Sequence, residues 1–213
     1  RDGAHAEDFL RSLFDLMGLV LDVSDHTTLS RRAKQLKVPL RVPKKLGRID
    51  LVIDSSGLGV DGDGVIVGQR LTDASVDDGS VGVDFVDGVP GKVRRVIGDG
   101  AYDSRALHDA AISRGAKVVV PPIKTAKTGG RGCRARDRVV RRVRKVGRRQ
   151  WKKESGYHQQ ARAENTFMRF KRILGDRLHA RDADGQSVEA RLACNILNRM
   201  TELGMPASYA VRM

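Results

Sequence analysis

Three carboxylates, Asp54, Asp99 and Glu164, sit where a site for divalent cations could form. Asp54 ends the apolar run IDLVID (49–54), and Asp99 directly follows VRRVIG (93–98). Both runs read as short strands, and open α/β sheets collect their sites at the C-terminal ends of strands. Glu164 lies in YHQQARAENTFMRFKRILG (157–175), whose spacing predicts one continuous helix. On such a helix Tyr157, Gln160, Glu164 and Lys171 share a stripe about 60° wide. Phe167, Phe170 and Leu174 form the adjoining apolar face. Three carboxylates from separate elements can hold two divalent cations ~4 Å apart. Oxygen ligands select Mg²⁺ or Mn²⁺ rather than zinc. Such a pair activates a water or a 3′-hydroxyl and stabilises the leaving oxygen in phosphodiester chemistry. The residues alone leave another reading open. A strand-end aspartate also serves as a cap or turn residue, and Glu164 among arginines also serves as a salt-bridged surface group.

The elements that must position these groups are legible in outline. Residues 5–17 predict a helix with Phe9, Leu10, Leu13, Phe14 and Met17 as its apolar stripe, stopped by Gly18. SDHTTLSRRAKQLK (24–37) opens on cap-type residues and predicts a second helix. Leu29, Ala33 and Leu36 would face inward and Thr28, Arg31, Arg32, Lys34 and Gln35 outward. That is a candidate DNA-contacting helix, although the gap between the two helices is longer than a helix-turn-helix uses, and an ordinary amphipathic pair fits equally. VPLRVPKK (38–45) reads as a linker. Further strands are expected at 64–72 and 117–120, a weak helix before residue 86, and a helix after Asp103 or Ser104 that stops at Gly115. Residues 123–150 read as a basic loop followed by an amphipathic helix, and SVEARLACNILNRMTEL (187–203) as the last helix.

Charge is distributed unevenly along the 213 residues. The whole chain carries +14, but residues 121–181 hold 20 Lys+Arg against 4 Asp+Glu, a net +16. Residues 50–103 hold 4 basic and 11 acidic residues, a net −7. A basic lobe beside an acidic one points to a polyanion surface next to a cation-collecting site. Arg141, Arg142, Arg148 and Arg149 are the candidates in that lobe for contact with nucleic acid. No run approaches the length of a membrane span, and no glycine-rich phosphate loop is present. Cys133 and Cys194 form no metal-spaced pair and fit a reducing compartment, so we expect a cytoplasmic, nucleoid-associated protein. The chain opens on Arg1, not Met, and we expect its natural start to be missing.

In several stretches the chain resembles a DDE transposase of the insertion-sequence-5 type. These are LVIDSSGL around Asp54, VIGDGAYDSRA around Asp99, GAKVVVPP after it, and WKKESGYHQQARAENTFMRFKRILGDRL around Glu164. ILNRMTELGMP and FLRSLFDLMGLVLDVSDHTTLSRR fit as well. The family's signature around its third carboxylate runs Tyr, two residues, Arg, three residues, Glu, six residues, Lys. Tyr157, Glu164 and Lys171 match it in register, while Gln160 stands at the arginine position. The resemblance implies an α/β, ribonuclease-H-like mixed sheet flanked by helices. It implies Asp54, Asp99 and Glu164 as catalytic metal ligands for Mg²⁺ or Mn²⁺. Tyr157, Lys171 and the residue at position 160 would position DNA. The partners implied are double-stranded DNA, both terminal inverted repeats and target, with the protein acting as a homo-oligomer and no membrane involved.

On this basis residues 1–45 form a helical, DNA-binding N-terminal region and linker. Residues 46–206 form the catalytic domain, with a basic insertion at about 121–155, and 207–213 form a tail. One departure from the family stands out. Only the nine residues 55–63 separate Asp54 from Gly64, where relatives carry a longer, basic, strand-forming segment. We therefore expect the central hairpin to have lost a strand, with the strand at Gly64–Leu71 pairing directly with Ile49–Asp54 or leaving an exposed edge. Such a chain, a truncated copy, would bind metal but transpose weakly. The alternatives are a catalytically inactive DNA-binding remnant and a basic RNA-binding protein whose carboxylates are structural.

Overall fold

Five short strands form one mixed sheet in the order β3-β2-β1-β4-β5. The computed structural model describes residues 2–42, 47–54, 57–71, 78–129 and 134–204. Expectations for residues 43–45 of the linker, the turn at 55–56, the loop at 72–77, Cys133 and the tail lie outside them. β1 (Ile49–Asp54), β4 (Val93–Ile97) and β5 (Lys117–Val119) run parallel; β2 (Leu58–Val60) is antiparallel to β1 and to β3 (Ile66–Gln69). The helices are α1 (Asp2–Leu16), α2 (His26–Gln35), α3 (Asp78–Gly88), α4 (Arg105–Ser113), α5 (Arg134–Val146), α6 (Arg148–Ser155), α7 (Ala161–Leu174) and α8 (Ala183–Leu203). This is a ribonuclease-H-like mixed sheet flanked by helices.

The expected loss of a strand is corrected by the pairing. β2 lies between β1 and β3, with Val52↔Val60 and Asp54↔Leu58 on one side and Leu58↔Gln69 and Val60↔Ile66 on the other. β3 therefore does not pair directly with β1. Three residues suffice because all three are buried and both ends turn tightly. Gly57 has φ +75°, and a Cβ there would lie 2.1 Å from the Arg70 carbonyl oxygen. Only glycine accepts both constraints.

Side chains alternate across the sheet and build two cores. Leu51, Ile53 and Val96 pack with Phe85 and Val86 of α3 and Leu107 of α4. Val52, Ile97 and Val119 pack on the opposite face with Trp151 of α6, Ala163 of α7 and Leu197 of α8.

α8 also carries the N-terminal region. Lys34 Nζ lies 2.9 Å from Asp182 Oδ2, and the Arg41 N–H donates to Asn195 Oδ1 at 2.7 Å. Buried Asn198 donates to the carbonyls of Arg41 (3.0 Å) and Ile66 (2.8 Å) and accepts the Ile66 N–H at 2.7 Å. Ile66 belongs to the edge strand β3, so this side chain closes the sheet on that side. Leu36, expected to face inward, is instead the C-cap residue of α2 and is 54% exposed.

Candidate active site

Asp54 and Asp99 stand at the ends of neighbouring parallel strands. The register pairs Val52 with Ile97. Asp54, two residues past Val52, and Asp99, two residues past Ile97, therefore stand at the same end of the sheet. Asp99 Oδ1 accepts the Ala101 N–H at 2.8 Å and so caps the short 3₁₀ turn Gly100–Tyr102. Among the described residues its second oxygen has no hydrogen-bond partner. Among the described residues, Asp54 and Glu164 make no side-chain hydrogen bond or ion pair.

Glu164 is carried by α7, but the stretch before it differs from the continuous helix expected. Tyr157–Gln160 is a 3₁₀ turn and α7 starts at Ala161. The common stripe through Tyr157, Gln160, Glu164 and Lys171 therefore does not exist. Gln160 turns inward, is 4% exposed, and donates from Nε2 to the Ile53 carbonyl at 3.1 Å. Gln160 therefore faces the core rather than the solvent. Its Oε1 is buried without a partner. The neighbouring Gln159 accepts from Arg95 Nη2 at 3.0 Å. Two adjacent glutamines thus clamp the turn to β1 and β4, the strands that carry the aspartates. Residue type did not mark either as a clamp. The nearest signal is Gly156, which ends α6 at φ +77° where a Cβ would meet Arg95 Nη1 at 2.9 Å.

Tyr157 is half-buried, its ring 6.3 Å from that of Trp151, with Lys152 Nζ 4.4 Å from its centroid. Burial raises the pKa of its phenol, and the charges of Asp99, Glu164 and Asp54 raise it further, while Arg148 opposes them. One hydroxyl therefore lies in the field of all three carboxylates. Lys171 is exposed and places Nζ 4.6 Å from the Phe167 ring centroid.

The ligand atoms of the three carboxylates do not all come within 4.8 Å of one another; among the described residues, the group that does is Glu7, Asp25 and His26. That group staples α1 to α2: His26 Nδ1 lies 2.7 Å from Glu7 Oε1, and Asp25 caps α2. At the sheet end the donor set is three carboxylates, and among the described residues none of them has a cation partner. Such a set fits hard divalent ions.

Residues 57–199 match the family described as Transposase DDE domain, and residues 4–63 match a second family of the same description. The first match spans more than half of the chain. The chain belongs to the transposase DDE domain family. No solved structure matches it. DDE transposase domains use divalent metals and act on DNA. Asp54 falls in the shorter match, and Asp99, Tyr157, Glu164 and Lys171 in the longer.

The DDE domain's basic helices α5 and α6 follow β5. Val140 is buried and Val139, Val143 and Val146 pack partly; Arg136 turns inward onto Asp103, and the other arginines of α5 are exposed. Arg141 and Arg149 are exposed. Arg142 forks onto Glu154 at 2.8–3.0 Å and ties α5 to α6. Arg148 is half-buried and donates to the Pro122 carbonyl. On α2, Arg31 and Arg32 are exposed, while Lys34 is held by Asp182. Among the described residues, no helix is long and apolar enough to cross a membrane.

Proposed function

We propose that this chain is a DNA transposase of the insertion-sequence-5 type that cleaves and joins phosphodiester bonds at element ends with Mg²⁺ or Mn²⁺. The observation that carries this reading is the convergence of β1, which ends on Asp54, the parallel strand β4, which leads into Asp99, and α7, which bears Glu164 and packs through Ala163 on the Val52 face; among the described residues none of the three carboxylates has a cation partner. In this reading the three carboxylates hold the ions. Bound there, divalent ions would activate a water or 3′-hydroxyl and stabilise the leaving oxygen. Tyr157 orients the strand end, and Lys171 meets its phosphates. Arg31, Arg32, Arg141 and Arg149 hold the flanking duplex. The protein works as a homo-oligomer that pairs two ends. Nicking of a plasmid bearing the element's terminal inverted repeats, with Mg²⁺ or Mn²⁺ and lost in Asp54→Asn and Glu164→Gln, tests this. Metal-independent nicking, or nicking that survives both substitutions, would overturn it.

A second reading is a DNA-binding remnant without activity. The observation favouring it is that the three sets of ligand atoms are not drawn within 4.8 Å of one another. Salt-sensitive DNA binding with no nicking in either metal would establish the remnant instead.

A further inference from the structure

Asp50, near the start of β1, is 4% exposed, and two arginines of β4 fork onto it. Arg94 Nε lies 2.8 Å and Arg95 Nε 3.1 Å from Asp50 Oδ1, and the Nη2 of each donates to Oδ2. One guanidinium is enough to neutralise one carboxylate, and Arg94 alone would do so. Arg95 has a second task. Its Nη2 carries two hydrogens, and besides Asp50 it meets Gln159 Oε1 at 3.0 Å. Gly156 passes over the same guanidinium, so close that a Cβ there would lie 2.9 Å from Nη1. The bidentate grip of Asp50 fixes the plane of the Arg95 head. The turn Tyr157–Gln160 therefore rests on a rigid support. Neither this turn nor α7 has a side-chain cap of its own. Among the described residues, the polar contacts that fix the start of α7 are those of Gln159 with Arg95 and of Gln160 with the Ile53 carbonyl. Glu164 stands in the first turn of α7.

We propose that Arg95, pinned by Asp50 and holding Gln159, is a positioning residue that sets where Glu164 stands relative to Asp54 and Asp99; this rests on the reading of those carboxylates as the metal site. Asp54 ends β1 and Asp99 follows β4, so both are carried by the sheet. Glu164 comes from a helix, and its place depends on how that helix is tied to the sheet. The ligand atoms of the three are not drawn within 4.8 Å of one another, so a divalent ion must gather them. Play of ~1 Å in a supporting element is enough to spoil such a site. Arg95 removes that play on the β4 side, as Gln160 does on the β1 side.

The test measures Mn²⁺ binding to the full chain, by electron paramagnetic resonance of the free ion, beside the melting temperature. Gln159→Leu removes the acceptor and should weaken Mn²⁺ binding about tenfold, the low end of what losing an outer partner of a metal site costs, at an unchanged melting temperature. Gln159→Glu keeps an oxygen for Arg95 and should bind at least as tightly as wild type. Arg95→Lys leaves Arg94 on Asp50 and so guards against misfolding, but an ammonium has no fork to hold Asp50 and Gln159 together. It should weaken binding as Gln159→Leu does. Asp54→Asn, which removes a ligand, should weaken it further. Wild-type binding in both Gln159→Leu and Arg95→Lys, beside a loss in Asp54→Asn, overturns the positioning role and leaves the metal site standing. So does a weakening that Gln159→Glu shares, or one that comes with a lowered melting temperature, because either marks general structural damage. Undiminished binding in Asp54→Asn, or no binding by the wild type, overturns the metal site and the positioning role together.

Discussion

Asp99 has two tasks that substitution can separate. One oxygen caps the turn at Ala101, and the charge is what a cation would use. Asparagine still accepts an N–H at a cap. Asp99→Asn should therefore keep the melting temperature while metal-dependent nicking falls by about a hundredfold or more. Asp99→Ala should lose the nicking and about 1 kcal/mol of stability besides. Identical melting of the two variants would remove the capping role, and undiminished nicking in both would remove the ligand role. His108 makes a prediction in pH. It is 1% exposed with neither ring nitrogen partnered. Burial drives its pKa down to about 4, against the pull of Asp103. An unfolded histidine titrates near 6.5, so this group's contribution is intact above about 6.5 and is lost as pH falls toward 4, by about 3 kcal/mol. Asp50 works in a lower window. Burial pushes its carboxyl up, but hydrogen bonds from Arg94 and Arg95 outweigh this and hold it at about 2. Its contribution is present above the ordinary carboxylate value of 3.8 and fades only as pH drops through about 2. Melting curves of wild type and His108→Leu should diverge between about pH 6.5 and 4; parallel curves would refute this. At this scale Asp54 and Asp99 were readable because each ends an apolar run. Gln160 was not, because a polar residue next to a helix gives no sign of facing the core.

The elements separate arginines that composition treats alike. Arg142 and Arg148 are hydrogen-bonded within the fold, whereas Arg149 faces solvent and Arg141, 4.0 Å from Asp137 one helical turn away, stays largely exposed. Arg141→Glu with Arg149→Glu should weaken binding to any duplex and flatten the salt dependence by about 0.9 per lost phosphate contact. Arg142→Glu should act mainly on stability, because it sets two carboxylates against each other across α5 and α6. A salt titration of each variant, read beside its melting temperature, checks both statements; equal salt slopes would show that neither helix touches DNA. β1 and β4 were legible because their apolar runs are long enough to stand out. β2 was not. Leu58–Val60 has three residues with glycine at its centre, and glycine carries little strand preference. Its pairing comes from burial between two neighbours. The start of α7 was misplaced for a related reason. Periodicity continues smoothly through Tyr157–Gln160, but the glutamine clamps hold that stretch in a tighter turn.

For the whole molecule, the layered α/β plan was visible in the order of strands and helices, while its long-range fastenings were not. Asn198 joins the linker and the edge strand from a helix whose sequence reads as ordinary. Asn198→Leu would strand the Ile66 N–H and the carbonyls of Ile66 and Arg41, at about 1–3 kcal/mol for each buried group left unsatisfied. The melting temperature should fall by roughly 5 °C or more, and calorimetry showing no change would contradict the clamp. The same side chain imposes a schedule on synthesis. Asn198 lies 132 residues beyond Ile66. At about 5–20 residues per second, a ribosome leaves the β3 edge uncovered for on the order of ten seconds. In that interval the nascent sheet offers its open edge to whatever strand is nearest. On a crowded messenger the nearest strand belongs to another copy. The spacing of ribosomes therefore governs how many chains reach the closed state, and sparse translation favours the native protein over tangled pairs.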